Sequence, residues 1–112
     1  MDYYTYLLRC WKSKNAMNRQ RPLYGHIIYC GYTYNIFQRL IQHITGKTKK
    51  YTKQFHGNIR FAYLETFKTR AEAMKRELEI KDLSRDEKIK MIYDFKENHP
   101  EVLEFIETNT SG

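Results

Sequence analysis

The sequence predicts a small α/β (α+β) fold, a three-stranded, mostly antiparallel sheet flanked by helices. Three observations predict it. Short runs rich in β-branched and aromatic residues recur at 3–9, 27–32 and 59–66, the composition that suits a pleated, packed surface. The second run is followed within a few residues by apolar positions at helical spacing. Two Ser/Thr-x-x-Glu boxes then announce further helices. With 112 residues the chain is one domain of ordinary size, able to bury a single modest core. We place the domain at 1–112, with a core over 3–92 and a C-terminal helical extension over 93–107.

In chain order, Tyr3-Tyr4-Thr5-Tyr6-Leu7-Leu8-Arg9 reads as the first strand, with Tyr4, Tyr6 and Leu8 on one face. It starts so close to residue 1 that this strand is expected to edge or open the sheet. Residues 11 to 24 turn polar and basic, with Lys12, Lys14, Arg19 and Arg21. This is a long loop, suited either to phosphate contact or to plain solvation. Ile27 to Tyr32 forms the second strand, and Gly31 suits a point where the backbone comes close to something. Asn35 is the expected N-cap of a helix over 35–45. Ile36, Phe37, Leu40, Ile41 and Ile44 share its apolar face, Arg39, Gln42 and His43 lie on a polar flank, and Gly46 is its stop.

Next comes Lys47-Thr48-Lys49-Lys50-Tyr51-Thr52-Lys53, four lysines in seven residues around one aromatic. A lysine run alone is usually a solvated face, but this one follows the helix that carries Arg39 and His43, which favours contact with nucleic acid. Ile59 to Thr66 is the third strand. Thr69-Arg70-Ala71-Glu72 and Ser84-Arg85-Asp86-Glu87 start helices near 70 and 85. Pro100 ends the second of these and opens a short last helix over Val102, Leu103 and Ile106, with Thr108 to Gly112 frayed.

Charge is unevenly spread. Residues 1–68 hold 12 Lys and Arg against Asp2 and Glu65, a balance of +10, while residues 69–112 hold 8 against 11, a balance of −3. The basic part points to a polyanionic partner. Ten of the chain's aromatics are tyrosines, which pack, stack on bases or bond phosphates through their hydroxyls. No apolar stretch approaches the roughly 18–20 residues that span a bilayer, and the start of the chain is a poor signal peptide. An intracellular protein without a membrane partner is expected. Cys10 and Cys30 lack zinc-site spacing, and a reducing compartment argues against their pairing. His26 and His56 read as surface residues.

On the helix from residue 70, steps of 100° put Ala73, Met74, Leu78 and Ile80 along an apolar arc with Glu77 and Lys81 inside it. A carboxylate there is costly unless it is paired or holds a metal. Periodicity leaves both readings open: an i,i+4 ion pair with Lys81, or a functional carboxylate.

These residues carry a resemblance. Tyr4-Thr5-Tyr6 and Tyr29-Cys30-Gly31 match, in order, the two motifs of the GIY-YIG nuclease family. Arg39 follows eight residues after Gly31 and His43 four later, and Gly46-Lys47 with Lys50-Tyr51-Thr52 and Arg76-Glu77 with Ile80-Lys81 complete the set. Over about residues 3–92 the chain resembles the small stand-alone branch related to the nuclease domain of Slx-type structure-specific endonucleases. It departs from the family in lacking the first motif's glycine, in Cys30, in a long segment between the motifs, and in Tyr32, where some members carry lysine.

The resemblance implies a metal-dependent endonuclease that hydrolyses DNA phosphodiester bonds with weak sequence preference or selectivity for structure. Glu77 would hold one Mg²⁺ or Mn²⁺, and no small-molecule cofactor is called for. Arg39 would clamp the scissile phosphate. Tyr6 and Tyr29, facing each other from adjacent strands, would orient or deprotonate the attacking water, with His43 either a further proton carrier or a structural histidine. A phenol with its ordinary pKa near 10 needs that value lowered to serve as a base. Arg39, Lys47, Lys49, Lys50, Tyr51, Lys53, Arg19 and Arg21 are the expected nucleic-acid contacts. With Tyr6 beside Tyr29, Cys10 lies about four residues along the ladder from Cys30, beyond disulfide reach. The alternatives to an enzyme are a catalytically inactive nucleic-acid-binding module of the same fold and, with no motif behind it, an adaptor using the acidic tail.

Overall fold

The computed structural model describes residues 2–11, 26–47 and 58–110. Three strands, β1 (Tyr3–Cys10), β2 (Ile27–Thr33) and β3 (Ile59–Phe67), form one antiparallel sheet in the order β2-β1-β3. The first strand is therefore central, not at the edge. It is the most thoroughly buried of the three, with Thr5, Tyr6, Leu7, Leu8 and Cys10 all out of solvent, and a strand buried on both faces belongs in the middle of a layered fold.

Four helices cover the sheet: α1 (Ile36–Ile44), α2 (Arg70–Lys81), α3 (Arg85–Asn98) and α4 (Pro100–Thr110). Tyr6, Leu8, Cys10, Ile59 and Phe61 pack with Ile36 and Leu40 of α1 and Ile106 of α4. Leu7, Cys30 and Ala62 meet Ile80 of α2 and Ile92 of α3 on the opposite side. Helix α3 serves both clusters, since Phe95 belongs to the first. Between Leu7 and Leu8 the β1–β3 register shifts, so that Leu7 faces Tyr63 and Leu8 faces Phe61. Ala62 is the extra residue of this bulge.

The helix ends follow from local hydrogen bonding. Asn35 accepts from the Gln38 amide at 3.1 Å. Thr69 and Glu72, then Ser84 and Glu87, form complete capping boxes, each supplying two otherwise unpaired backbone donors with acceptors. At the end of α1, Gly46 has φ 71°, the left-handed region where glycine is unstrained. The amides of Gly46 and Lys47 return to the carbonyls of His43 and Gln42, a Schellman closure. The last helix is longer than its apolar residues suggest. It runs to Thr110, whose hydroxyl donates to the Ile106 carbonyl at 2.7 Å and is buried, so Thr108 to Thr110 are ordered helix and not a frayed end.

Candidate active site

The site is built on the pairing of Tyr6 with Gly31. The two are opposite each other in the β1–β2 ladder, and the phenol lies across the glycine. A Cβ on Gly31 would stand 2.6 Å from the Tyr6 hydroxyl oxygen, 2.8 Å from its Cζ and 3.1 Å from Tyr29 Cε2. No side chain fits there. The backbone approach anticipated at Gly31 is therefore an approach by the first motif's own tyrosine. Tyr29 pairs with Leu8, so the two tyrosines meet diagonally rather than side by side, with ring centroids 6.4 Å apart.

This register revises the thiol geometry. Cys30 pairs with Leu7 and Cys10 with Ile27, three positions apart instead of four, and the odd offset puts the thiols on opposite faces of the sheet. Both are free and buried.

His43 does not lie on a polar flank. At 100° per residue it falls about 20° from Ile36 and about 60° from Leu40, so it shares the inner face of α1 with them. It is fully buried, and its Nε2 lies 2.9 Å from the Tyr6 hydroxyl oxygen. Its ring meets Tyr29 edge-on at 5.4 Å. With the imidazole proton on Nδ1, the phenol donates to Nε2; in the other tautomer Nε2–H donates to the phenol. The position conceded is Ile41, which is 43% exposed.

On α2 the buried residues are Ala73 and Ile80. Glu77 lies beside them on the helical wheel, about 40° from Ala73 and about 60° from Ile80, while Leu78, expected in the apolar arc, is 66% exposed. The Glu77 side chain keeps only 15% of its exposure, and Lys81 Nζ stands 3.2 Å from its Oε1. Glu77 is thus ion-paired, and it lines the same cleft as the tyrosines. Two tethers from the sheet fix its height. The buried Thr5 hydroxyl donates to the Ala73 carbonyl at 2.8 Å, and Cys30 Sγ contacts the Glu77 carbonyl at 3.9 Å. Thr5 and Cys30 are the middle residues of the two motifs, turned away from the phenols. Beside them, Arg76 donates to Glu65 at 2.9 Å, and Tyr63 donates to the same oxygen at 2.8 Å, which ties α2 to β3.

The cleft has a volume of about 420 Å³, and its lining includes Tyr6, Tyr29, Gly31, Arg39 and Glu77, with Tyr32 and Arg70. Strand neighbours Gly31 and Tyr32 point to opposite faces, so it runs along the edge formed by β2. A larger hollow of about 590 Å³ lies between α1, β3 and α4, lined by Leu40, Ile44, Ile59 and Phe61. It contains none of the motif tyrosines, and its flanking charges, Arg60 and Glu107, neutralise each other at 3.1 Å.

Burial pushes the Tyr6 pKa well above its ordinary value, and Arg39, pulling the other way, does not offset it. Tyr29 is also raised, by burial and then by Glu77 against the opposing charges of Lys81 and Arg39. Loss of water disfavours the charged form, so both phenols keep their protons near neutral pH. The lowering that a tyrosine base requires is not supplied by the protein's own charges.

Among the described residues no group of three His, Cys, Asp or Glu side chains is placed to hold a metal, and Glu77 is the cleft's carboxylate. Mg²⁺ retains several waters and takes one or two carboxylates together with substrate phosphate oxygens, so a mostly buried carboxylate opening on a cleft with room for waters and a phosphate fits such an ion.

Of the expected nucleic-acid contacts, Arg39 is half-buried in the cleft and Lys47 is exposed just beyond α1. Lys49, Lys50, Tyr51, Lys53, Arg19, Arg21 and His56 lie outside the described residues. His26 is buried, not at the surface, with its ring stacked on Trp11 at 4.9 Å. Sequence reasoning passed over Thr5, Tyr32 and Arg70. Arg70 had a usable signal, since it precedes Glu77 by seven residues and so shares its helix face.

Among the described residues no helix is long and apolar enough to cross a membrane. The profile of the GIY-YIG catalytic domain matches residues 2–90. A UPF0213 protein of Oceanobacillus iheyensis is 40% identical over 91 residues, covering 81% of this chain and 90% of that protein. A UPF0213 protein of Staphylococcus haemolyticus is 37% identical over 90 residues, 80% of this chain and 93% of the relative. The solution NMR structure of the UPF0213 protein BH0048 from Bacillus halodurans shares 32% identity and covers 83% of this chain and 84% of its own, with a TM-score of 0.46. With the motif residues in the family's order and the match spanning most of its length, the chain belongs to the GIY-YIG family, among the small stand-alone UPF0213 proteins.

Proposed function

We propose that the protein is a metal-dependent endonuclease that hydrolyses DNA phosphodiester bonds, with weak sequence preference or selectivity for DNA structure. The observation that carries this reading is the meeting of Tyr6, Tyr29, Arg39 and Glu77 in one cleft, backed by the buried Tyr6–His43 pair. The family's catalytic domain supports nuclease chemistry in general; the metal, the DNA substrate and the residue roles are inferred from the side chains.

Glu77 would hold the Mg²⁺ or Mn²⁺ ion. When bound, the ion supplies polarisation of the phosphoryl group and stabilisation of the departing oxygen. The Arg39 guanidinium offers two parallel donors to phosphate oxygens and stabilises charge that grows in the transition state. Because the Tyr6 phenol stays protonated, it acts as a relay rather than a preformed phenolate. Its oxygen accepts a proton from the attacking water as its own proton passes to His43 Nε2, with the imidazole protonated on Nδ1. Tyr29 packs against both rings and holds the relay in place.

The Glu77–Lys81 ion pair favours a second reading, a module that binds nucleic acid without cutting it, because the carboxylate already has a partner. One experiment separates the two. Supercoiled plasmid is incubated with the protein and Mg²⁺ or Mn²⁺, beside Glu77→Gln. Metal-dependent nicking that vanishes in the variant supports the endonuclease; binding without nicking supports the module.

A further inference from the structure

Arg70 is the first residue of α2, exposed, and part of the lining of the cleft. Its Nη2 donates to the Tyr32 hydroxyl at 3.1 Å, and its guanidinium carbon lies 5.9 Å from the centre of the Tyr32 ring. Other arginines of the described residues are differently committed. Arg76 meets Glu65 at 2.9 Å and Glu79 at 3.6 Å, Arg60 meets Glu107 at 3.1 Å, and Arg85 donates to the His26 carbonyl. Arg70 is held by a phenol hydroxyl instead of a carboxylate, which fixes the direction of the guanidinium without an ion pair. A guanidinium has five N–H donors, so the bond to Tyr32 leaves a planar fork for an anion. Such a fork fits the oxygens of a phosphate in two-point contact.

We propose that Arg70, aimed by Tyr32, is a second phosphate-binding residue of the cleft and takes a backbone phosphate of the polynucleotide away from the one held by Arg39. The inference rests on the endonuclease reading of the cleft and adds to it a residue and a register. Arg70 and Glu77 share a face of α2 seven residues apart, about 10 Å along the helix. Each strand carries one charge per about 3.4 Å of duplex axis, so this spacing reaches beyond a single backbone phosphate. The substrate strand is therefore gripped at the scissile phosphate and again a few nucleotides away, along the β2 edge. Tyr32 is the residue directly after the second motif's glycine. Its ring and hydroxyl act through Arg70, as a positioning residue.

The test is the salt dependence of binding, because each phosphate neutralised by a cation adds a fixed increment to the slope of log affinity against log salt. The 112-residue protein carrying Glu77→Gln, a substitution expected to abolish cutting, is titrated with a fluorescein-labelled oligonucleotide, as duplex and as single strand, by anisotropy across a KCl series. Adding Arg70→Gln is expected to make the slope shallower by about 0.7–0.9, the increment of one contact. Arg70→Lys restores the slope while binding more weakly than arginine, and Tyr32→Phe keeps the slope but weakens binding. Lys75→Gln, which removes an exposed cation of α2 outside the cleft lining, leaves the slope unchanged. Coincident slopes for Arg70→Gln and its parent, or an equal change in Lys75→Gln, overturn the proposal and leave the endonuclease reading intact. If the parent binds neither oligonucleotide at any salt concentration, both fall together.

Discussion

Tyr6 and His43, thirty-seven residues apart in the chain, share a buried hydrogen bond of 2.9 Å between the phenol oxygen and Nε2. Replacing Tyr6 by Phe keeps the ring over Gly31 and removes the bond. His43, itself fully buried, then loses this hydrogen bond, at an expected cost of about 1–3 kcal/mol. If the pair is the proton relay proposed above, plasmid nicking falls by about 10²–10⁴-fold. Thermal unfolding and nicking of the same preparation separate the two effects. Undiminished nicking removes Tyr6 from the mechanism.

Gly31→Ala is expected to be far more costly than its single methyl suggests. The new Cβ would collide with the Tyr6 ring edge at 2.6 and 2.8 Å, in a buried part of the ladder, so the ring or the strand must shift. A loss of about 1–3 kcal/mol, read from the denaturation midpoint, is expected, together with a nicking defect that added metal does not repair. A variant as stable and active as the parent would contradict the close approach.

Lys81 competes with any cation for Glu77. Its side chain is 50% exposed while that of Glu77 is 15% exposed, so Lys81→Gln is expected to cost about 0.2–1 kcal/mol of stability. The same substitution removes a positive charge 3.2 Å from the carboxylate, and the Mg²⁺ concentration for half-maximal nicking is expected to fall several-fold. An unchanged or higher metal requirement would show that Lys81 helps the site rather than opposing the ion.

Alkaline conditions offer a test independent of activity. Burial pushes the Cys10 and Cys30 thiols up to about 12 from an ordinary 9.0. A group whose pKa is higher in the folded state contributes stability that is whole below its unfolded value and is lost as pH climbs to the folded one. Melting temperature should therefore decline from about pH 9 upward, and Tyr6 and Tyr29, also raised, add to the decline at higher pH. In the native protein both thiols should resist a thiol reagent at pH 8 and react on unfolding. Fast labelling of the native protein would contradict their burial.

Local signals in the sequence located most elements to within a residue or two. Asn35, Gly46, Thr69 with Glu72, and Ser84 with Glu87 fix helix ends through bonds to their immediate neighbours, so no tertiary information is needed to read them. Positions decided by packing were less readable. His43 is polar, so the pattern alone places it on the polar flank of α1, yet its angle about the helix points it at Tyr6, and a hydrogen-bond partner from β1 makes its burial tolerable. Leu78 is apolar and was assigned to the core, but Ala73 and Ile80 already fill the contact with the sheet. His26 went the same way as His43, drawn inward by Trp11. The site followed this division: Tyr6, Tyr29, Arg39 and Glu77 could be named from their order in the chain, while the diagonal register and the upward shift of the phenols depend on how the strands align and exclude water.

The central place of β1 bears on how the protein comes into being. As the chain is made, the strand carrying Tyr6 emerges first and can pair with β2 at once, but its second ladder waits for Phe67, and α2 comes later still. The catalytic set proposed here is thus completed only when Glu77 docks behind an already closed sheet. A half-synthesised chain would hold the phenols and the guanidinium without the carboxylate, and so would reach a ribosome's surroundings unarmed.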